Sequence, residues 1–194
     1  MMTAITPAAF AQKLVDREFG DFFIYPQHDQ TIDTVWLEAS QPQLLDQILD
    51  DATLSTEAKF LACEVLFKKD VLFLRRHAPE QIAEVYAKAL SHDLTRMANS
   101  WGLLYDYQDE GPVGSAFLTL GQKAIPALVK LLDDGSTHLK YLGSVEATVG
   151  NAYRYRVKDF AAYYLGRILG HPLKYYPTLA SRDQQINRLK KELG

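Results

Sequence analysis

Residues 58–66 read Ala-Lys-Phe-Leu-Ala-Cys-Glu-Val-Leu, and residues 157–165 read Val-Lys-Asp-Phe-Ala-Ala-Tyr-Tyr-Leu. Set one above the other, Ala58, Leu61, Ala62, Val65 and Leu66 meet Val157, Phe160, Ala161, Tyr164 and Leu165. Both sets follow i, i+3, i+4, i+7, i+8, a spacing that gathers them on one face of an α-helix. Each stretch also follows a second apolar run that ends in Leu-Asp-Asp, at 49–51 and at 132–134. An amphipathic helix buries its stripe against another element, and the nearest is the helix before it. The pattern predicts an all-α chain of stacked antiparallel helix pairs.

Working outward, Thr6-Pro7 supplies an N-cap and a proline at the first helical position, with Phe10, Leu14 and Val15 as the stripe of a first helix. Phe22-Phe23-Ile24-Tyr25 ahead of Pro26 reads as a short extended piece or a buried connection. Ile32, Val35, Trp36 and Ala39 then return to helical spacing. These N-terminal helices occupy 1–42. Three pairs follow, at 43–69, 79–107 and 122–170: Leu44–Asp51 with Ser55–Lys69, Pro79–Ser91 with Leu94–Asp106, and Gln122–Asp134 with Arg156–Leu169. With Ala62, Ala98 and Ala161 as equivalents the steps are 36 and 63 residues, so the third pair carries an excess of 27. That excess is an insertion over 135–156. Gly150-Asn151 in it is a turn signal, and Tyr153, Tyr155 and Val157 alternate with Arg154 and Arg156, which predicts a small β-hairpin or an ordered loop. Ser181 with Gln184 fits a capping box for a last helix over 181–193, whose Ile186, Leu189 and Leu193 close the end of a single domain spanning 1–194.

A chain of 194 residues, 47% hydrophobic, can bury a substantial core without disulfides or metals. Its one cysteine, Cys63, excludes an internal disulfide and reads as a buried apolar filler. The N-terminus lacks the charged start and long apolar run of a leader, and no apolar stretch is long enough to span a bilayer, so the expected location is cytoplasmic. The formal net charge of −3 offers no general attraction to nucleic acid. It is unevenly spread: residues 1–97 carry 9 basic and 15 acidic side chains, residues 98–194 carry 12 and 9. Between His138 and Tyr176 six basic residues face only Glu146 and Asp159, a modest basic patch.

Ala-Ile-Pro-Ala-Leu-Val-Lys-Leu-Leu-Asp-Asp at 124–134 and Val-Lys-Asp-Phe-Ala-Ala-Tyr-Tyr-Leu-Gly at 157–166 resemble the two helices of a HEAT repeat, and 49–59 echoes them more loosely. The resemblance covers about residues 43–170. It implies a right-handed α-α superhelix of the armadillo/HEAT type, an α-solenoid whose inner curve is lined by second helices. It also implies structural roles for Asp51, Asp134, Lys59 and Lys158, since the turn aspartate and the early second-helix basic residue commonly bond between neighbouring repeats in that family. The middle pair departs, with Thr95 in the basic position.

Motifs for chemistry are absent from the sequence. His28, His77, His92, His138 and His171 pair with no other histidine, cysteine or carboxylate at a local metal-ligating spacing, and neither a phosphate loop nor a nucleophile elbow is present. Gly111-Pro112-Val113-Gly114-Ser115 reads as a connector. No cofactor or metal is expected. The expected function is a non-enzymatic protein-binding module or scaffold. Its binding residues are Tyr153, Arg154, Tyr155 and Arg156 of the insertion with Lys158 and Arg167 nearby, and its partner is an acidic protein. Replacing Arg154 and Arg156 together should then spare folding and abolish capture. One alternative, implied by the resemblance, is a HEAT-like DNA glycosylase or other nucleic-acid-binding protein using Trp101, Tyr105 and Asp106. Another is an immunity-type protein whose acidic N-terminal half covers a basic toxin.

Overall fold

The structure is a computed structural model that describes residues 5–17, 19–23, 27–40, 42–106, 110–143, 145–171, 173 and 178–194. Ile24, Tyr25, Pro26, Tyr107 and the first four residues, on which parts of the sequence reading fall, lie outside the described set. Among the described residues the chain is helical and holds no strand. It divides into two compact units, Met1–Ala78 and Pro79–Gly194, where the sequence reading has one domain.

The first unit comprises α1 (Pro7–Val15), α2 (Phe19–Phe23), α3 (Gln27–Ala39), α4 (Pro42–Asp50), α5 (Thr56–Lys69) and α6 (Phe73–Arg76). The predicted caps form: the Thr6 hydroxyl accepts from Ala9 N at 3.2 Å with Pro7 next to it, and the Ser55 hydroxyl accepts from Ala58 N at 3.1 Å. Helix α5 is the central rod, in contact with α1, α3 and α4. The sequence stripe describes only one of its faces, because Phe60 and Cys63 are buried on the others. Phe60 stacks on Phe23 of α2 at 5.5 Å between ring centroids.

The second unit comprises α7 (Pro79–Ser91), α8 (Ser115–Leu120), α9 (Ile125–Lys130), α10 (Glu146–Ala152), α11 (Val157–Ile168) and α12 (Leu179–Leu193). Here α11 is the central rod, packed on α8, α9 and α12 and buried from Val157 to Gly166 apart from half-buried Lys158. The two stretches matched in sequence are therefore the central helices of the two units. The same turn ends the apolar run that precedes each in sequence: Asp51 accepts the Thr53 N–H and hydroxyl at 2.9 and 2.6 Å, and Asp134 accepts those of Ser136 at 3.0 and 2.5 Å.

Several expectations are corrected. Leu94–Asp106 is not an α-helix: only a 310 turn forms, Ala98–Trp101. Asp93 and Arg96 adopt positive φ (50° and 56°) and Met97 is extended, while Ala98 N donates outside the segment to Lys140 O at 2.7 Å. Apolar spacing is kept, since Ala98 and Trp101 are buried, but the insertion supplies the partners that a helix would have supplied internally. Pro126 splits the run over 122–134, having no N–H and excluding the carbonyl four residues back, so 310 turns at Gly121–Ala124 and Leu131–Asp133 flank α9. The last helix begins at Leu179, capped by the Thr178 hydroxyl rather than by Ser181. The connector at 111–115 leads into α8, a helix the sequence reading lacks.

The insertion is not a hairpin. A run with neither helix nor strand reaches Gly143, in keeping with the loop that the sequence allowed as the alternative, and α10 follows with Gly150-Asn151 at its end. Gly150 is a packing residue: a Cβ there would lie 2.5 Å from Tyr141 and 2.6 Å from Tyr105. Alternation at 153–156 breaks because Arg154 has φ 51°, which folds the rings of Tyr153 and Tyr155 onto each other at 5.4 Å, near parallel.

Candidate interaction surface

The run before α10 is held by side-chain amides instead of a neighbouring strand. Asn99 Nδ2 donates to Leu142 O at 3.2 Å and its Oδ1 accepts from Leu142 N at 2.9 Å. Asn151 makes the same pair of bonds with the backbone of Tyr141, at 2.9 Å each. Tyr141 is buried, its hydroxyl donates to Gly102 O at 3.0 Å and accepts from Leu104 N at 3.3 Å, and its ring meets Tyr105 edge-on. Asn99, Tyr141 and Asn151 are the anchors that sequence reasoning missed. Nothing in local spacing marks them, because their partners lie up to 43 residues away.

With Ala147 and Gly150 turned to the body, the outward face of α10 carries Val145, Thr148, Val149 and Ala152. These positions keep the i, i+3, i+4, i+7 spacing of one helix face, apolar except for Thr148, and they face solvent together with exposed Glu146. Val145 is 83% exposed, Val149 52% and neighbouring Leu142 54%. Lys140 lies before the stripe and Arg154 after it, both exposed and, among the described residues, in no ion pair.

The other predicted binding residues lie elsewhere. Arg156 is buried: its guanidinium holds both oxygens of Asp159 at 3.0 and 2.9 Å and reaches Asp183 at 2.9 Å. Burial opposes its charge, but the Asp159 and Asp183 carboxylates outweigh that and raise its pKa. The expectation that losing Arg156 spares the fold is therefore corrected. Tyr155 is buried under the Arg182 guanidinium, 4.8 Å above its ring, and Arg182 is itself buried with Nη2 donating to Tyr153 O at 2.7 Å. Tyr153 is half-buried. Lys158 bonds Asp183 at 2.8 Å, and Arg167 pairs with Glu110 and donates to the Tyr163 hydroxyl. The Lys158 side chain thus meets α12, while its backbone N–H donates to the carbonyl of the turn aspartate Asp134 at 2.9 Å.

The aromatic and acidic trio of the nucleic-acid alternative is split by burial. Trp101 is fully buried against Phe117, Tyr105 packs on Tyr141 and Gly150, and Asp106 is exposed. In the first unit the structure pairs His77 Nε2 with Asp46 at 2.8 Å, across 31 residues, beside the fork of Arg76 on the same carboxylate. This ties α4 to α6. Among the described residues no group of three or more His, Cys, Asp or Glu side chains could hold a metal ion, and no helix is long and apolar enough to cross a membrane.

Asp93, at the foot of the insertion, is pushed up to about 6 by burial, with His138 and Arg96 pulling the other way. A carboxyl raised in the folded state stabilises fully below its unfolded pKa, and that contribution is lost as pH rises through about 6. Asp93→Asn is expected to raise the melting temperature above that range and to lose the gain as pH falls to about 4. A gain that grows on acidification would contradict this. No protein-family model, curated protein or solved structure matches the chain.

Proposed function

We propose that the chain is a non-enzymatic, HEAT-like helical module that binds a protein partner through the outer face of the 135–156 insertion. The observation that carries this reading is the direction of α10, whose apolar stripe faces solvent while its small residues face the body. A seven-residue helix has little stability of its own, so packing and the Asn clasps hold it in place. A rigid support under exposed aliphatic side chains is what an interaction site needs, because little ordering entropy is then lost on binding. The HEAT-like part is supported by the two central helices and their matching aspartate turns.

Of the two arginines, Arg154 meets the partner, and Arg156, Lys158 and Arg167 support the platform. Immobilised protein incubated with an extract of the source cells is expected to retain a protein in near-stoichiometric amount. Arg154→Ala should lower that amount several-fold at an unchanged melting temperature. A wild type that retains nothing beyond bare resin, or only material a nuclease releases, would overturn the reading.

A further inference from the structure

We infer that the occupant of this face is an acidic amphipathic helix of a partner protein, its aliphatic row lying along Leu142, Val145 and Val149 and its carboxylates meeting Lys140 and Arg154. The inference rests on the module reading above and specifies the ligand of the same site. A stripe with helical spacing on a fixed support is matched by a second helix presenting its own i, i+3, i+4, i+7 row. Charge then selects among helices. Exposed Lys140 precedes the stripe in the chain and exposed Arg154 follows it, neither in an ion pair among the described residues, against one exposed carboxylate on α10, Glu146. A second copy of this chain laid antiparallel on the same face would bring the like charges Lys140 and Arg154 together, whereas carboxylates flanking an apolar row neutralise both. An anionic bilayer also attracts cations, but three aliphatic side chains and two charges bury less apolar surface than a single acyl chain, which by itself binds only marginally.

Arg154 adds an independent observation. It sits just past the end of α10 with φ 51°, the left-handed position where glycine is favoured and where an L side chain is strained. A side chain that makes no ion pair and occupies a strained backbone does nothing for the fold that glycine would not do better. Its use is at the surface.

The test is a selection of helical peptides, sixteen residues long and displayed on phage, on the intact protein after depletion on the Val145→Asp/Val149→Asp variant. Both positions are exposed, so the variant is expected to keep its far-ultraviolet spectrum and melting temperature. Enriched clones should share an aliphatic row at helical spacing and an excess of Asp and Glu. A synthetic copy of the leading clone should bind wild type and lose about tenfold or more to the double variant. It should lose roughly threefold to Arg154→Gly, although that variant melts no lower than wild type. No enriched clone, or clones that are basic or without the row, would overturn the inference. So would a wild-type dimer that the double variant abolishes, or binding to phosphatidylserine vesicles that it abolishes, since these assign the face to a second copy or to lipid. A cell-extract partner that the double variant loses, together with selected clones that lack the row or the acidic excess, would remove this inference and leave the module reading standing; a partner held equally by wild type and the double variant, or no partner, would remove both.

Discussion

Asp159→Ala is expected to cost about 3–5 kcal/mol of folding stability, a third or more of what a typical domain has. Asp159 is 1% exposed at the start of α11, where its carboxylate accepts the Arg156 N–H at 2.9 Å and both arms of the Arg156 guanidinium. Arg182, also buried, approaches the same oxygen at 3.5 Å. Removing Asp159 takes the nearby carboxylate from buried Arg182 and leaves buried Arg156 with Asp183 alone, and this loss of counter-charge dominates over any relief from restoring apolar volume. Urea denaturation at neutral pH measures it. Asp159→Asn, which keeps an acceptor but no charge, should fall between wild type and alanine. Arg154→Ala, two residues from Arg156, should lie within about 0.5 kcal/mol of wild type. An Asp159→Ala protein within about 1 kcal/mol of wild type would show the network to be dispensable.

Gly111→Ala is expected to be comparably severe, about 3–5 kcal/mol, because two costs add. Gly111 has φ 67°, and a Cβ there would lie 2.4 Å from Gly102 N and 2.5 Å from Ser100 O. Both are backbone atoms and cannot rotate away. This crossing of two chain segments is bonded through Ser100 O, which accepts from Val113 N and Gly114 N at 3.0 and 3.1 Å. Gly114 in turn leaves room for the Tyr164 hydroxyl, which bonds the carbonyls of Trp101 and Glu110. A circular-dichroism melt within a few degrees of wild type would contradict the argument.

The sequence text read as a mere connector thus fastens the central helix of the second unit. Glycines forced by a close backbone approach look the same in sequence as glycines of a free turn, since the approaching atoms belong to another segment. Where stabilisation is local, the reading and the structure coincide: the caps at Thr6 and Ser55, the α4–α5 pair and the central helix α11 all follow from periodicity and capping. Where it is not, they part. Leu94–Asp106 has the apolar spacing of a helix, yet residues of the insertion bond Ala98 N, Gly102 O and Leu104 N while Val113 and Gly114 bond Ser100 O, and periodicity carries no record of that.

The candidate site divides along the same line. Composition located the segment, and within it Arg154 is exposed as expected. Composition could not separate Arg154 from Arg156, because burial is decided by Asp159 and Asp183, one on α11 and the other on α12. The aliphatic row was overlooked for a related reason. Val145 and Val149 fit a core helix as well as a surface one, and only the burial of Ala147 and the packing of Gly150 against Tyr141 settle which way they point.

Holding the backbone of Tyr141 and Leu142 by the amides of Asn151 and Asn99 has a consequence for how this protein behaves at high concentration. Strands paired in a sheet end in an outer row of open backbone groups that other molecules can extend, the usual start of fibrous assembly. At Tyr141 and Leu142 those groups are already matched, one residue to each flank, by side chains that cannot propagate a ladder. The chain can therefore display the segment that carries Leu142 to its surroundings without offering, at those two residues, a template on which further copies would grow.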